Sequence, residues 1–323
     1  MRGRSTALAG LALLAGCGAD TPSPPSSEAL RAELQAVVTA SGAEVVGIYY
    51  RELTPEGDSV LISADVRMHA ASTMKVPVMM RLVLDAQEGI RPLDASLPVK
   101  RTFASIVDGS PFDLPQGSDS DTTFYGRVGE EATILEMMDR MITWSSNLAT
   151  NILIEVAEPA RVNAMLAEMG ADSMDVVRGV EDLLAFRAGR SNTTTARSLG
   201  ATMAAIAESE AFEPESRRIM LEILERQHYR AGIPAGLPPG TRVANKTGWI
   251  NGIQHDVALV LPADAAPYVL VVMVRGHPAE DQGEAMTAEL SRLVWEHRIA
   301  ASRQGWRWGR FDPAPPPQSG LPP

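Results

Sequence analysis

The chain has 323 residues and writes its cations almost entirely as arginine, with only three lysines. Two of those three stand in chemically suggestive places: Lys75 closes Ser72-Thr73-Met74-Lys75, and Lys246 opens Lys246-Thr247-Gly248. Arginine holds its proton in a protein, whereas a lysine amine gives its proton up when burial or a nearby cation lowers its pKa. A serine three residues before a lysine, at the start of a helix, puts both side chains on one face within hydrogen-bond reach. Lys75 can then take the Ser72 proton, provided that it is neutral part of the time, and Lys246 is the candidate neighbouring charge. The Ser72 N–H, at a helix N-terminus, and the Trp249 N–H, at the end of the strand carrying Lys246, are candidate donors to a developing oxyanion. Alone, Ser-x-x-Lys is weak, since composition produces on the order of one per chain of this length.

The order is more specific. Ser72-x-x-Lys75 is followed by Ser145-Ser146-Asn147 and then by Lys246-Thr247-Gly248. This trio resembles the serine β-lactamase and penicillin-binding protein superfamily, in particular its class A members. The resemblance covers the chain from about residue 28 to residue 303. It includes the run 141–147 leading into Asn151-Ile152-Leu153, and Leu237-Pro238-Pro239-Gly240 before the third motif. It implies that Ser72 is the acylated nucleophile, Lys75 its proton acceptor and Ser145 a proton shuttle to the leaving nitrogen. Asn147 would bind the substrate's amide side chain, and Lys246 with Thr247 its carboxylate, with Gly248 and Trp249 completing that wall. The implied substrate is a β-lactam or the D-Ala-D-Ala peptide that it mimics.

Class A members use a loop glutamate to activate the deacylating water. The matching stretch here is Arg178-Gly179-Val180-Glu181-Asp182-Leu183-Leu184-Ala185, in which Glu181 and Leu184 fit Glu-x-x-Leu-Asn but Ala185 replaces the asparagine. Either Asn192 substitutes for it or deacylation is slow. A structural alternative is that Glu181 pairs with Arg178 or Arg187. Ser146 replaces the aspartate usual in class A, and Trp249 is large where many members have a small residue. Residues 105–127 lengthen the interval between the first two motifs. Their Asp, Ser and Gly content predicts a loop on the cleft rim, where Tyr125 could stack on substrate. Three functions stay open: a β-lactamase, a DD-peptidase or penicillin-binding protein with slow deacylation, and a cell-wall-binding lipoprotein without turnover.

Other chemistries find little support. The five histidines form no His-x-His or HExxH, there is no GxSxG elbow, and the glycines follow no phosphate-binding order, so neither metal nor cofactor is expected. His69 precedes the nucleophile and reads as a structural histidine. His255 and Asp256, adjacent on a probable strand, should point to opposite faces.

The elements that must position these residues follow from periodicity. Strands are expected over 44–52, 58–64, 241–248, 253–261 and 267–274, the first two joined by a turn at Thr54-Pro55-Glu56-Gly57. Helices are expected over 28–40, 73–87, 133–143, 146–155, 159–169, 194–208, 214–227 and 280–299. Two strands early and three late predict an α/β (α+β) fold: a five-stranded antiparallel sheet flanked by helices, beside an all-helical domain, with the site in the cleft between them. The sheet domain is expected from 28–65 and 214–303, and the helical domain from 66–213.

Residues 1–16 read as a secretory signal, with Arg2 and Arg4 before a short apolar run ending Leu14-Ala15-Gly16-Cys17, which is similar to a bacterial lipobox. Cys17 is the only cysteine, so no disulfide framework supports the fold. Residues 17–27 then form a lipidated tether and 304–323 a Pro-rich tail. The net charge of −11 argues against nucleic acid and against electrostatic membrane binding, leaving a lipid at Cys17 as the expected anchor of an exported monomer.

Overall fold

The computed structural model describes residues 26–303 apart from 278. The signal, tether and tail expectations, and Cys17 with them, lie outside the described residues.

The strands are β1 (Val45–Glu52), β2 (Ser59–Ile62), β3 (Arg242–Ile250), β4 (Ile253–Leu261) and β5 (Tyr268–Arg275), paired antiparallel in the order β2-β1-β5-β4-β3. Alternation is muted in the central strands because both faces are covered. Val269, Val271 and Met273 of β5 face one core, and Tyr268, Leu270, Val272 and Val274 face the other. Such a strand reads as a continuous apolar run. Asn251 and Gly252 turn β3 into β4, with Gly252 at φ +74°, a backbone region that suits glycine in a two-residue hairpin. β3 is an edge strand, so the backbone groups on its free side are available to a substrate.

The longer helices are α1 (Ser27–Ser41), α2 (Lys75–Gln87), α3 (Ile134–Thr143), α4 (Asn147–Ala157), α5 (Pro159–Glu168), α6 (Ala196–Glu208), α7 (Pro214–Glu225) and α8 (Glu280–Arg303). Their starts carry recognisable caps. Ser26, Thr133, Ser146 and Thr195 each accept an N–H of the first turn, and Pro159 and Pro214 open their helices, where a missing N–H costs nothing. α1 and α8 cover one face of the sheet through Leu30, Leu34, Leu290 and Val294. α6 covers the other so closely that a Cβ on Gly200 would stand 2.3 Å from the Tyr49 ring. The buried α2 runs through the helical side, with eleven of its thirteen residues buried. The region expected to be all helical also carries three two-stranded ladders: Met68–His69 with Thr193–Thr194, Ser96–Pro98 with Glu131–Thr133, and Thr102–Ala104 with Pro111–Asp113. Their strands of two or three residues are too short for alternation to register.

Candidate active site

Ser72 sits in a one-turn 3-10 helix, Ala71–Met74, that runs directly into α2 at Lys75. Ala71 has φ +46°, a costly conformation for a residue with a Cβ, and its N–H donates to His69 Nδ1 at 3.0 Å. His255 buttresses the same turn. Its Nδ1 accepts from Val274 N–H at 3.1 Å, so Nε2 carries the proton and donates to the His69 carbonyl at 3.0 Å. Burial pushes the His255 pKa down to about 4 and lowers that of His69, with Arg178 adding to the latter, so both rings are neutral at neutral pH. From the other side, β3 closes on the turn. A Cβ on Gly248 would meet Thr73 and Ala71 atoms at 3.0–3.2 Å, so glycine is what lets the strand approach the turn that holds Ser72.

Lys75 and Lys246 are both fully buried. Lys75 Nζ donates to the Ser145 carbonyl (2.8 Å), Ser145 Oγ (3.1 Å) and Asn147 Oδ1 (2.9 Å). Lys246 Nζ donates to the same Ser145 Oγ at 3.1 Å and to the Thr247 carbonyl at 2.9 Å. One hydroxyl therefore bridges two amines. Burial, and then the Lys246 charge, drive the Lys75 pKa well below the ordinary lysine value, against the pull of Asp119. Burial lowers Lys246 to about 7, opposed by Asp256. Asp256 is itself raised to about 6 by burial. Ser145 has φ +58°, so strained backbone lies at two of the three motifs.

A cleft of about 1080 Å³ joins these groups, lined by Ser72, Ser145, Asn147, Thr247, Gly248 and Trp249. Trp249 is 56% exposed at its mouth. Glu181 enters from the facing loop at φ +61°, exposed and lining the cleft. Asn151 of α4 clamps that loop by donating to the Val180 carbonyl (2.9 Å) and accepting from Val180 N–H (2.6 Å). A Cβ at Gly179 would lie 2.5 Å from Asn151 Oδ1. Asp182 anchors the next residues, capping the short helix Leu183–Arg187 and accepting from Ser105 Oγ and Ile106 N–H.

Three expectations need correction. Tyr125 does not reach substrate: it is buried in the helical core with its hydroxyl donating to the Leu114 carbonyl at 2.7 Å. The rim is built instead by residues 117–120. Asn192 is no stand-in for the asparagine absent at 185. Its amide is spent on the backbone of Val177 and Arg178, which holds the loop from behind. The expected partnership of Glu181 with Arg178 is not formed as a hydrogen bond, because the guanidinium donates to the Arg190 and Gly179 carbonyls. His255 and Asp256 do point to opposite faces, one to His69 and the other to Ile233 N–H and Asn245. Sequence reasoning missed Asp119, whose carboxylate binds the second motif from 27 residues away, and the Asn151 clamp. No group of three or more His, Cys, Asp or Glu side chains among the described residues could hold a metal ion.

A serine in the turn that opens into α2, a desolvated amine three residues on, a second buried amine and the hydroxyl that bridges the two amines are the parts of a serine acyl-transfer enzyme. The chain belongs to the β-lactamase enzyme family, whose model matches residues 29–298. It is 29% identical over 311 residues to β-lactamase FAR-1 of Nocardia farcinica (strain IFM 10152), covering 90% of this chain and 95% of that one. Among solved structures, PBP-A superposes with a TM-score of 0.74 at 26% identity, over 86% of this chain and 98% of that one. A PBP-A point mutant in acyl-enzyme complex with penicillin G gives a TM-score of 0.73 at 27% identity, with 86% and 99% covered.

Proposed function

We propose that the protein hydrolyses β-lactams through an ester on Ser72. In the first half-reaction neutral Lys75 accepts the Ser72 proton as Oγ attacks the lactam carbonyl. The oxyanion forms where the Ser72 turn meets the edge strand β3. The ring C–N bond then breaks and the nitrogen takes a proton from Ser145 Oγ, which draws a replacement from the lysines that it bridges. In the second half-reaction Glu181 takes a proton from water as the water oxygen attacks the ester carbon, the bond from that carbon to Ser72 Oγ breaks, and the Glu181 carboxyl returns the proton to Oγ, which restores both groups. Lys246 and Thr247 hold the substrate carboxylate and Asn147 its amide side chain. The observation that carries the reading is the pair of buried lysines on one serine hydroxyl, because a binding protein has no use for a desolvated, titratable amine beside a nucleophile.

A second reading, penicillin binding with slow deacylation, draws on the likeness to PBP-A and on Ala185, which offers no side-chain amide to hold a water near Glu181. Intact-mass spectrometry of the protein mixed with penicillin G separates the two. A transient adduct with accumulating product is the expected result, a long-lived adduct supports the second reading, and no adduct would sink both. Export by the N-terminal segment, lipidation of Cys17 and a monomeric state complete the proposal. No described helix is long and apolar enough to cross a membrane.

A further inference from the structure

Asp119 follows a single 3-10 turn, Gln116–Ser118, on the cleft rim and is 6% exposed. Its carboxylate accepts four hydrogen bonds. Oδ1 takes the N–H groups of Asp121 (2.8 Å) and Asn147 (3.2 Å), and Oδ2 takes Leu148 N–H (2.7 Å) and the Ser146 hydroxyl (3.1 Å). Three of the four donors belong to the second motif or to the first turn of α4. There the N–H groups have no partner within the helix and the helix dipole favours an anion. The neighbouring Ser118 carbonyl accepts from Asn147 Nδ2 at 2.6 Å. Asn147 is thus gripped at its backbone and at one end of its amide, which leaves Oδ1 aimed at Lys75. Ser146 divides its hydroxyl, accepting from Ala149 N–H as the cap of α4 while donating to Asp119.

We propose that Asp119 is a positioning residue of this active site: from the rim loop it supplies the carboxylate that class A members carry at the position of Ser146, and it fixes Ser145 and Asn147 around Lys75. The inference rests on the acylation chemistry assigned to Ser72 and Lys75. It explains how the second motif functions with serine in its middle. It also gives the lengthened segment 105–127 a task that loop composition does not reveal. The charges that act on the Lys75 amine are Lys246 from β3, which lowers its pKa, and Asp119, which raises it; Glu181 lines the cleft, and Asp256 acts on Lys246. With Asp119 neutralised, Lys75 sheds its proton at lower pH, so the acid limb of the acylation rate moves down.

The test compares the wild type, Asp119→Asn and the double variant Asp119→Asn/Ser146→Asp by stopped acylation with penicillin G, read by intact mass from pH 5 to 9. Amide exchange is followed at Asn147 and Leu148. Misplacement of a reacting group by about an ångström costs about 10- to 100-fold in rate. The single variant is expected to acylate slower by that factor, with its acid limb displaced to lower pH and both amides less protected. Moving the carboxylate to position 146 should restore the rate to within roughly threefold, below the range of a misplaced group. A single variant with the wild-type rate and an unmoved limb would overturn the proposal, as would a double variant no faster than the single. Should the wild type form no adduct, the Ser72 chemistry fails on its own account and the amides decide. Protection lost in the single variant and regained in the double supports the role of Asp119, and unchanged protection ends it.

Discussion

Lys75 and Lys246 place two titratable amines in the interior, and that has consequences for both rate and stability. Lys75→Arg puts a permanent cation where the proposed mechanism needs a base. Loss of general-base catalysis is worth about 10²- to 10⁴-fold, so the acylation rate with penicillin G should fall by that order. An undiminished rate in the same mass assay would exclude Lys75 as the proton acceptor. For stability, Lys246 has a folded pKa of about 7, below the unfolded value of about 10.4. Between those values the unfolded chain binds more protons than the folded one, so this group's contribution makes stability rise with pH across the window. Below about 7 both states are protonated and the burial penalty is fully felt. Lys246→Met removes the penalty. Thermal denaturation at a series of pH values should show the variant more stable than wild type near pH 6–7, with the gap closing toward pH 9.5. A gap independent of pH would mean that Lys246 is not the titrating group.

At the scale of elements, the site is a meeting of three pieces: the turn into α2, the start of α4 and the edge strand β3. Each was legible because its signal is local. The periodicities of α2, α4 and β3, the motif spacing and the glycine of Lys246-Thr247-Gly248 all sit within a few residues of the groups that they place. What was not legible depends on contacts across the chain. Asp119 meets Ser146 across a sequence separation of 27, Asn151 meets Val180 across one of 29, and Tyr125 turns into the core because Leu114 offers a carbonyl there. Composition marks the 105–127 segment as a loop, and only its packing shows which acid faces inward. The Asn151 clamp yields a separate expectation. Asn151→Ala frees the Val180 backbone and lets Glu181 leave its strained φ, so the Ser72 ester should persist, as is also expected of Glu181→Gln, while its formation stays near the wild-type rate. Adduct lifetime and adduct formation, followed in one mass experiment, separate the two steps. A wild-type lifetime in Asn151→Ala would show that the loop holds Glu181 without it.

The whole molecule carries a net charge of −11, and the cleft adds to that field locally. Among the described residues its lining includes four carboxylates, Asp119, Glu181, Asp256 and Glu284, and no arginine, while Lys75 and Lys246 lie fully buried beneath the surface. Asp256 stands directly across from Thr247 in the β4–β3 register, beside the place where the substrate carboxylate is proposed to bind. An anionic penicillin therefore approaches against a negative potential, which low-dielectric cleft walls concentrate. Salt screens such a field, since the Debye length contracts from about 30 Å at 0.01 M to about 8 Å at 0.15 M. kcat/KM for penicillin G should accordingly rise with ionic strength, by roughly two- to fivefold over that range, within the span that steering effects reach. A penicillin of the same skeleton with a protonated amine on its side chain is nearly neutral overall and should respond less. Asp256→Asn and Glu284→Gln should each flatten the response to the anionic substrate, because each removes an acidic group from the cleft lining. Falling kcat/KM with added salt for penicillin G would instead mean that the buried lysine charge dominates the potential felt at the mouth, and that the carboxylates of the cleft wall play no part in substrate selection.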